Sequence, residues 1–443
     1  GRREKLAQGV TTEVVGNCGF SAHPPSPDPR ELRAFANGIL SGGDTWGWPS
    51  SRAYLEAASA SPVAHVCSLV GHGSLRVAVA GMRLGPLPES DIARMEDLLD
   101  TALCAGAVGF STGLMYAPGS SAPTEELERM CRIVARRNKV YTSHMRSYFH
   151  DLVPAIREQV ELARRTGCKL QISHLQAVGA ANWPQHELAL AEIERARQDG
   201  VDVMFDCYPY TAGSTVLTQL LPQETLDGGI DALMSRLSDA ALRAEIRSRI
   251  ESTIPWSWKA IYITAPGSAE NRALVGSTLA EIGNQLGMEP AEAVLHLLVA
   301  EHGDVNMLCF NQSEANLRLS LTHPLSVIGS DGFYVKGRPH PRLYGTFPFL
   351  LGEVCRNRGW LTLEAAIHKI TLKTAVQFGI EGRGHITAGA VADITALSPD
   401  LIDTPATYEE PEQSPSGIHW VLRSGELAHG SFERWQNGTH GLA

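Results

Sequence analysis

Cys18, His144, His174 and Asp331 each stand where a run of apolar and β-branched residues gives out, in VVGNCG, VYTSHM, LQISHL and VIGSDG. All four are of types that bind metals or move protons. A thiolate and neutral imidazoles suit borderline-soft zinc, and a site with only three protein ligands leaves a tetrahedral position for water, which then ionises near neutral pH. Each residue also has a plainer reading: a strand-end histidine often only satisfies a hydrogen bond, and Asp331 in a Ser-Asp-Gly turn could cap that turn. Repetition favours the chemical reading, because His144 and His174, 30 positions apart, both follow Ser at the end of an apolar run. His72 in GHGSLR also ends such a run, with no fixed role. His23, His65, His150, His186, His296, His302 and His368 fall in helices, loops or mid-strand and receive none.

The elements that must position these residues alternate. Apolar runs at 11–18, 63–71, 107–113, 139–145, 170–175, 201–210 and 325–332 read as strands. Between them, 89–106, 123–138 and 153–167 carry apolar residues at three- and four-residue spacing and end in Gly or Asn, which predicts helices. A further long helix is expected over 364–379. Strand and helix in alternation mean a parallel sheet covered by helices. An open dinucleotide-binding sheet would require G-x-G-x-x-G after the first strand, and neither VGNCGF nor GHGSLR supplies it. The expectation is an α/β barrel over 1–380, with chemistry gathered at the C-terminal ends of its strands. Residues 212–313, helix-rich and irregular, read as an inserted subdomain, and the turn-rich 381–443 as part of a small β domain.

Composition narrows the partners. Lys and Arg total 38 against 48 Asp and Glu, a net charge of −10, and no basic block is present, which argues against nucleic acid and anionic lipid. No apolar run approaches the roughly 20 residues of a membrane-spanning helix. Eight cysteines without a C-x-x-C pair fit a reduced, cytoplasmic protein, and no apolar stretch follows the basic N-terminus to make a secretory signal. The chain opens without Met in an amphipathic segment, as the remainder of a longer polypeptide would.

Eight segments in order, GVTTEVVGNCGFS, GAVGFSTGLMYAPGSSAPTEEL, YTSHMR, LQISHL, YPYTAGST, IGSDG, HPRLYGTF and GRGHITAGAVADI, resemble the N-acyl-D-amino-acid deacylases, or D-aminoacylases, of the metal-dependent amidohydrolase superfamily. The resemblance implies a (β/α)8 barrel of the TIM type beside a small β-sandwich, and a tightly bound Zn2+ held by Cys18, His144 and His174. It implies Asp331 as the general base that returns its proton to the leaving nitrogen. It also implies that Arg342, Tyr208 and Ser214 bind the carboxylate of a small N-acyl amino acid. Two departures stand out. The superfamily opens with a strand ending in H-x-H, and this chain has no H-x-H and only 17 residues before Cys18, so the first strand, half of the small domain and a second metal site are expected to be missing. Where the family often carries Lys two residues after the His of ISH, this chain has Gln176. The expected activity is zinc-dependent hydrolysis of a linear N-acyl amide. The alternatives are an incomplete, non-catalytic barrel serving binding or assembly, and a cyclic amidase, against which the presence of Cys18 speaks.

Overall fold

The computed structural model describes residues 3–40, 46–254 and 257–432. The outer ends of the two expected domains, 1–2 and 433–443, lie outside the described residues. In chain order the strands are β1 (Thr12–Val15), β2 (His65–Gly71), β3 (Gly109–Gly113), β4 (Val140–His144), β5 (Lys169–Ile172) and β6 (Val203–Cys207), then β7 (Ala212–Val216), β8 (Ile261–Pro266) and β9 (Val305–Phe310), then β10 (Ser326–Ile328), and finally β11 (Ile394–Leu397), β12 (Ile418–Arg423) and β13 (Glu426–Gly430).

Seven of these make one parallel sheet in the order β1-β2-β3-β4-β5-β6-β10. Each of the seven apolar runs read from the sequence supplies one of its strands. Helices such as Glu89–Cys104, Thr124–Arg136 and Leu152–Thr166 connect successive strands. The last of these stops at Gly167, whose φ of 74° is the left-handed turn a helix end favours. Both faces of the sheet are covered, so β3 and β4 are buried at every residue and need no polar face. Val70, Phe110, Tyr141, Leu170, Ile172 and Phe205 from the strands meet Leu99, Leu127, Ile156 and Ile193 from the helices in one apolar core. Among the described residues this is the expected barrel less one strand, with β1 and β10 as its edges. Because all seven strands run the same way, their C-terminal ends share one face.

Two stretches differ from expectation. Residues 212–313, read as helical and irregular, also build an antiparallel sheet in the order β7-β9-β8. The expected long helix at 364–379 is two helices, Leu363–Ile370 and Leu372–Gln377. The break is at Thr371 (φ −126°, ψ −100°), whose hydroxyl donates to the Ile367 carbonyl, and a side chain at Gly384 would press on Thr371 and Leu372. A threonine that bonds back into the preceding turn loosens a helix, and here a tightly apposed backbone completes the break. The C-terminal strands form a third sheet, β11-β12-β13. No helix among the described residues is long and apolar enough to cross a membrane.

Candidate active site

The loop that follows β1 carries Cys18, and it is seated by contacts only glycine permits. A Cβ on Gly113 would lie 2.0 Å from the Cys18 carbonyl oxygen, and one on Gly71 would lie 2.4 Å from that of Gly19. Side chains also fasten this loop across the barrel. The Asn17 carboxamide donates to Ser173 Oγ at 3.1 Å and accepts from Thr142 Oγ1 at 2.6 Å, tying the end of β1 to β4 and β5. Ser111 of β3 donates to the Gly16 carbonyl at 2.6 Å and accepts from the Gly19 amide.

So held, Cys18 meets the two histidines. One ligand atom from each of Cys18, His144 and His174 lies within 4.8 Å of the others. Cys18 Sγ and His174 Nε2 are 3.4 Å apart, close to the roughly 3.5 Å edge of a tetrahedron with zinc-like bonds. The His144 and His174 rings stand edge to face at 4.6 Å, and Tyr148 packs at 5.1 Å from each. Both ring nitrogens of His144 are buried without a hydrogen-bond partner, and so is Nδ1 of His174. Burial, and then the His174 charge, hold the His144 imidazole well below its usual pKa, so it stays neutral with a lone pair free. Burial pushes the Cys18 thiol well up, as do the charges of Asp331 and Asp206, while Arg342 opposes them. Such a thiol ionises when a cation sits beside it. A thiol and two imidazoles with bare ring nitrogens make a donor set that fits zinc.

The backbone here is unusual as well. Cys18 (φ 54°), His174 (φ 36°) and Asp331 (φ 48°) all occupy the left-handed region. Such conformations cost non-glycine residues about 1–2 kcal/mol and collect at functional sites. For His174 the compensation is visible. Asp206 at the end of β6 accepts from the His174 amide at 2.7 Å and from Gln171 Nε2 at 2.9 Å, and burial raises the Asp206 pKa.

The other residues expected at the site gather beside this cluster. Asp331 Oδ2 lies 3.0 Å from Arg342 Nη1, while the turn's own Gly332 amide goes to Ser330 Oγ. The Arg342 guanidinium is buried over the faces of Tyr208 (4.6 Å) and Phe333 (5.6 Å), and its Nη2 donates to the backbone carbonyl of Ser214 at 3.4 Å. Tyr208 Oη accepts from Gln312 at 3.0 Å. His72, in contrast, is fully buried and bonded at 2.7 Å to Glu126, which also takes both 3.1 Å contacts from Arg76. Arg76 also donates to the Gly85 carbonyl at 2.6 Å, while Nδ1 of His72 is buried without a hydrogen-bond partner. The sequence reading passed over Asp206, Asn17, Tyr116 and Tyr148. Tyr116 packs on His144 at 4.9 Å and bonds Thr215 Oγ1. For Asp206 a signal existed, as a lone carboxylate near the end of the apolar run VDVMFDC.

The family model described as "Amidohydrolase family" matches residues 1–427. The chain is 35% identical over 422 residues to the N-acyl-D-glutamate deacylase of Alcaligenes xylosoxydans xylosoxydans, covering 95% of this chain and 78% of that one. To the D-aminoacylase of the same organism it is 34% identical, with the same coverage. A solved structure of N-acyl-D-glutamate deacylase from Bordetella bronchiseptica, complexed with zinc and a phosphonate inhibitor mimicking the tetrahedral intermediate, is similar at a TM-score of 0.82. The identity is 34%, and the match covers 96% of this chain and 81% of that chain.

Proposed function

Because the chain belongs to the amidohydrolase family, and within it to the D-aminoacylases, we propose that it hydrolyses the linear amide bond of N-acyl amino acids. The D-configured substrates named for its relatives are the first to test. The observation that carries this reading is the convergence of Cys18, His144 and His174 within 4.8 Å, with both nitrogens of His144 unbonded.

Cys18, His144 and His174 would hold a single Zn2+ ion, which when bound supplies the charge that polarises the amide carbonyl and acidifies water. Asp331 takes the proton of the attacking water and gives it to the leaving nitrogen, so that a carboxylate and a free amine depart. Arg342 receives the substrate carboxylate, since a guanidinium fork matches a carboxylate in shape and charge. Tyr208 lies against the guanidinium, and Ser214 helps through its carbonyl. We assign residues 212–313 to an insert that supplies Ser214 and Gln312 to this pair, and 381–443 to the small β domain. None of the eight cysteines, all among the described residues, is joined in a disulfide, which supports a reducing, cytoplasmic setting.

Metal analysis of the purified chain, with a hydrolysis screen of N-acetyl-D- and N-acetyl-L-amino acids, tests this function. Stoichiometric zinc and release of free amine are expected; full zinc loading with no hydrolysis in either series would refute it.

A further inference from the structure

The contact between Asp331 and Arg342 joins two groups to which the proposed reaction gives separate tasks. Asp331 must offer an oxygen lone pair to a proton, yet Nη1 of Arg342 lies 3.0 Å from Asp331 Oδ2. Arg342 must offer its fork to a carboxylate, and it has capacity to spare. Its side chain is 1% exposed, while Nε and Nη1 are buried with no aligned hydrogen-bond acceptor. The bond from its Nη2 to the Ser214 carbonyl is long, at 3.4 Å. A buried cation with unmet donors is costly and favours any anion that can satisfy them. Ring faces rather than a saturated hydrogen-bond set hold the guanidinium, so it can pivot in its slot between Tyr208 and Phe333.

Resting on the deacylase reading, we propose that Arg342 is exchanged between Asp331 and the substrate carboxylate, so that docking of the carboxylate draws the guanidinium off Asp331 and frees that oxygen for the proton. Water then adds to the acyl carbon, its proton passes to Asp331 Oδ2, the C–N bond breaks and the same proton ends on nitrogen. No electrons are gained or lost. Substrate selection thus acts on the rate of the chemical step as well as on affinity, because an amide without a carboxylate leaves Asp331 occupied. Arg342 is in this sense a positioning residue for the base.

Two measurements on the full chain test the exchange. The first is calorimetric binding of propionate, a carboxylate with no amide to cleave. If Asp331 competes for Arg342, Asp331→Asn tightens propionate binding about fivefold or more, and Arg342→Gln abolishes it, because linked equilibria are reciprocal. Unchanged or weaker binding in Asp331→Asn overturns the proposal. The second compares, in the zinc-loaded enzyme, an N-acetyl-D-amino acid with the matching N-acetyl amine. The amine derivative should lose about tenfold or more in kcat, with part restored by added propionate. A rise in KM alone, with propionate acting only as an inhibitor, also overturns it. If neither amide is cleaved, the deacylase reading falls while the calorimetry still decides the exchange.

Discussion

His144 offers two bare ring nitrogens in a buried setting, and a buried polar atom without a partner calls for one. Cys18 is the third donor there, so Cys18→Ala should leave two imidazoles that cannot hold zinc, and both metal and activity should go; a Cys18→Ala protein that copurifies with stoichiometric zinc would contradict this. Asp331→Asn keeps the shape and removes the proton acceptor. Turnover should fall by about 10²–10⁴-fold while zinc content stays near normal, as read by steady-state kinetics beside metal analysis. The sequence made Cys18, His144, His174 and Asp331 visible because a polar side chain closing an apolar run is conspicuous. Asn17 and Tyr148 were not legible, since they act by reaching partners distant in the chain: Asn17 to Ser173, Tyr148 Oη to the Ser173 carbonyl. Ser214 was named through the family resemblance, but its contact with Arg342 runs through the backbone oxygen, which no side-chain motif encodes.

The loop after β1 illustrates how an element governs a donor atom. Its close approach to β3 depends on Gly113, so Gly113→Ala must displace either the loop or the strand. A loss of about 1–3 kcal/mol in urea denaturation is expected, together with weakened zinc binding by a chelator competition assay, although residue 113 offers no ligand atom. Wild-type zinc affinity in Gly113→Ala would show that the loop can give way. The seven parallel strands were legible because strands buried on both faces read as continuous apolar runs. The strands β7, β8 and β9 were not, because they are separated in sequence by helices and pair antiparallel over long gaps, Ala212 with Phe310 and Ile261 with Cys309. The break at Thr371 was hidden for a related reason: its helical spacing is intact, and the backbone that crowds it comes from Gly384.

Over the whole molecule, buried histidines set the response to acid. Burial lowers His23 and His186 to about 4, with a nearby His323 charge adding to the effect on His186. Both stay neutral in the fold and bond hydroxyls, His23 that of Ser68 and His186 that of Ser320. The unfolded chain takes up protons at these positions near pH 6.5, where the folded chain does not. Their stability is therefore full above about 6.5 and is lost as pH falls towards 4, on the order of 3 kcal/mol for each site. Urea titrations across that window should show the fall, and His23→Gln should flatten it. Zinc should act the other way, adding about 3 kcal/mol at free metal one hundred times its dissociation constant, seen as a raised melting temperature that Cys18→Ala abolishes. The left-handed backbone at Cys18, His174 and Asp331 has a practical corollary for anyone breeding this protein in the laboratory. Glycine relieves that conformation, so a library ranked by heat resistance alone, without added metal, would enrich glycine at these positions, and its sturdiest winners would be those that had forgotten their chemistry.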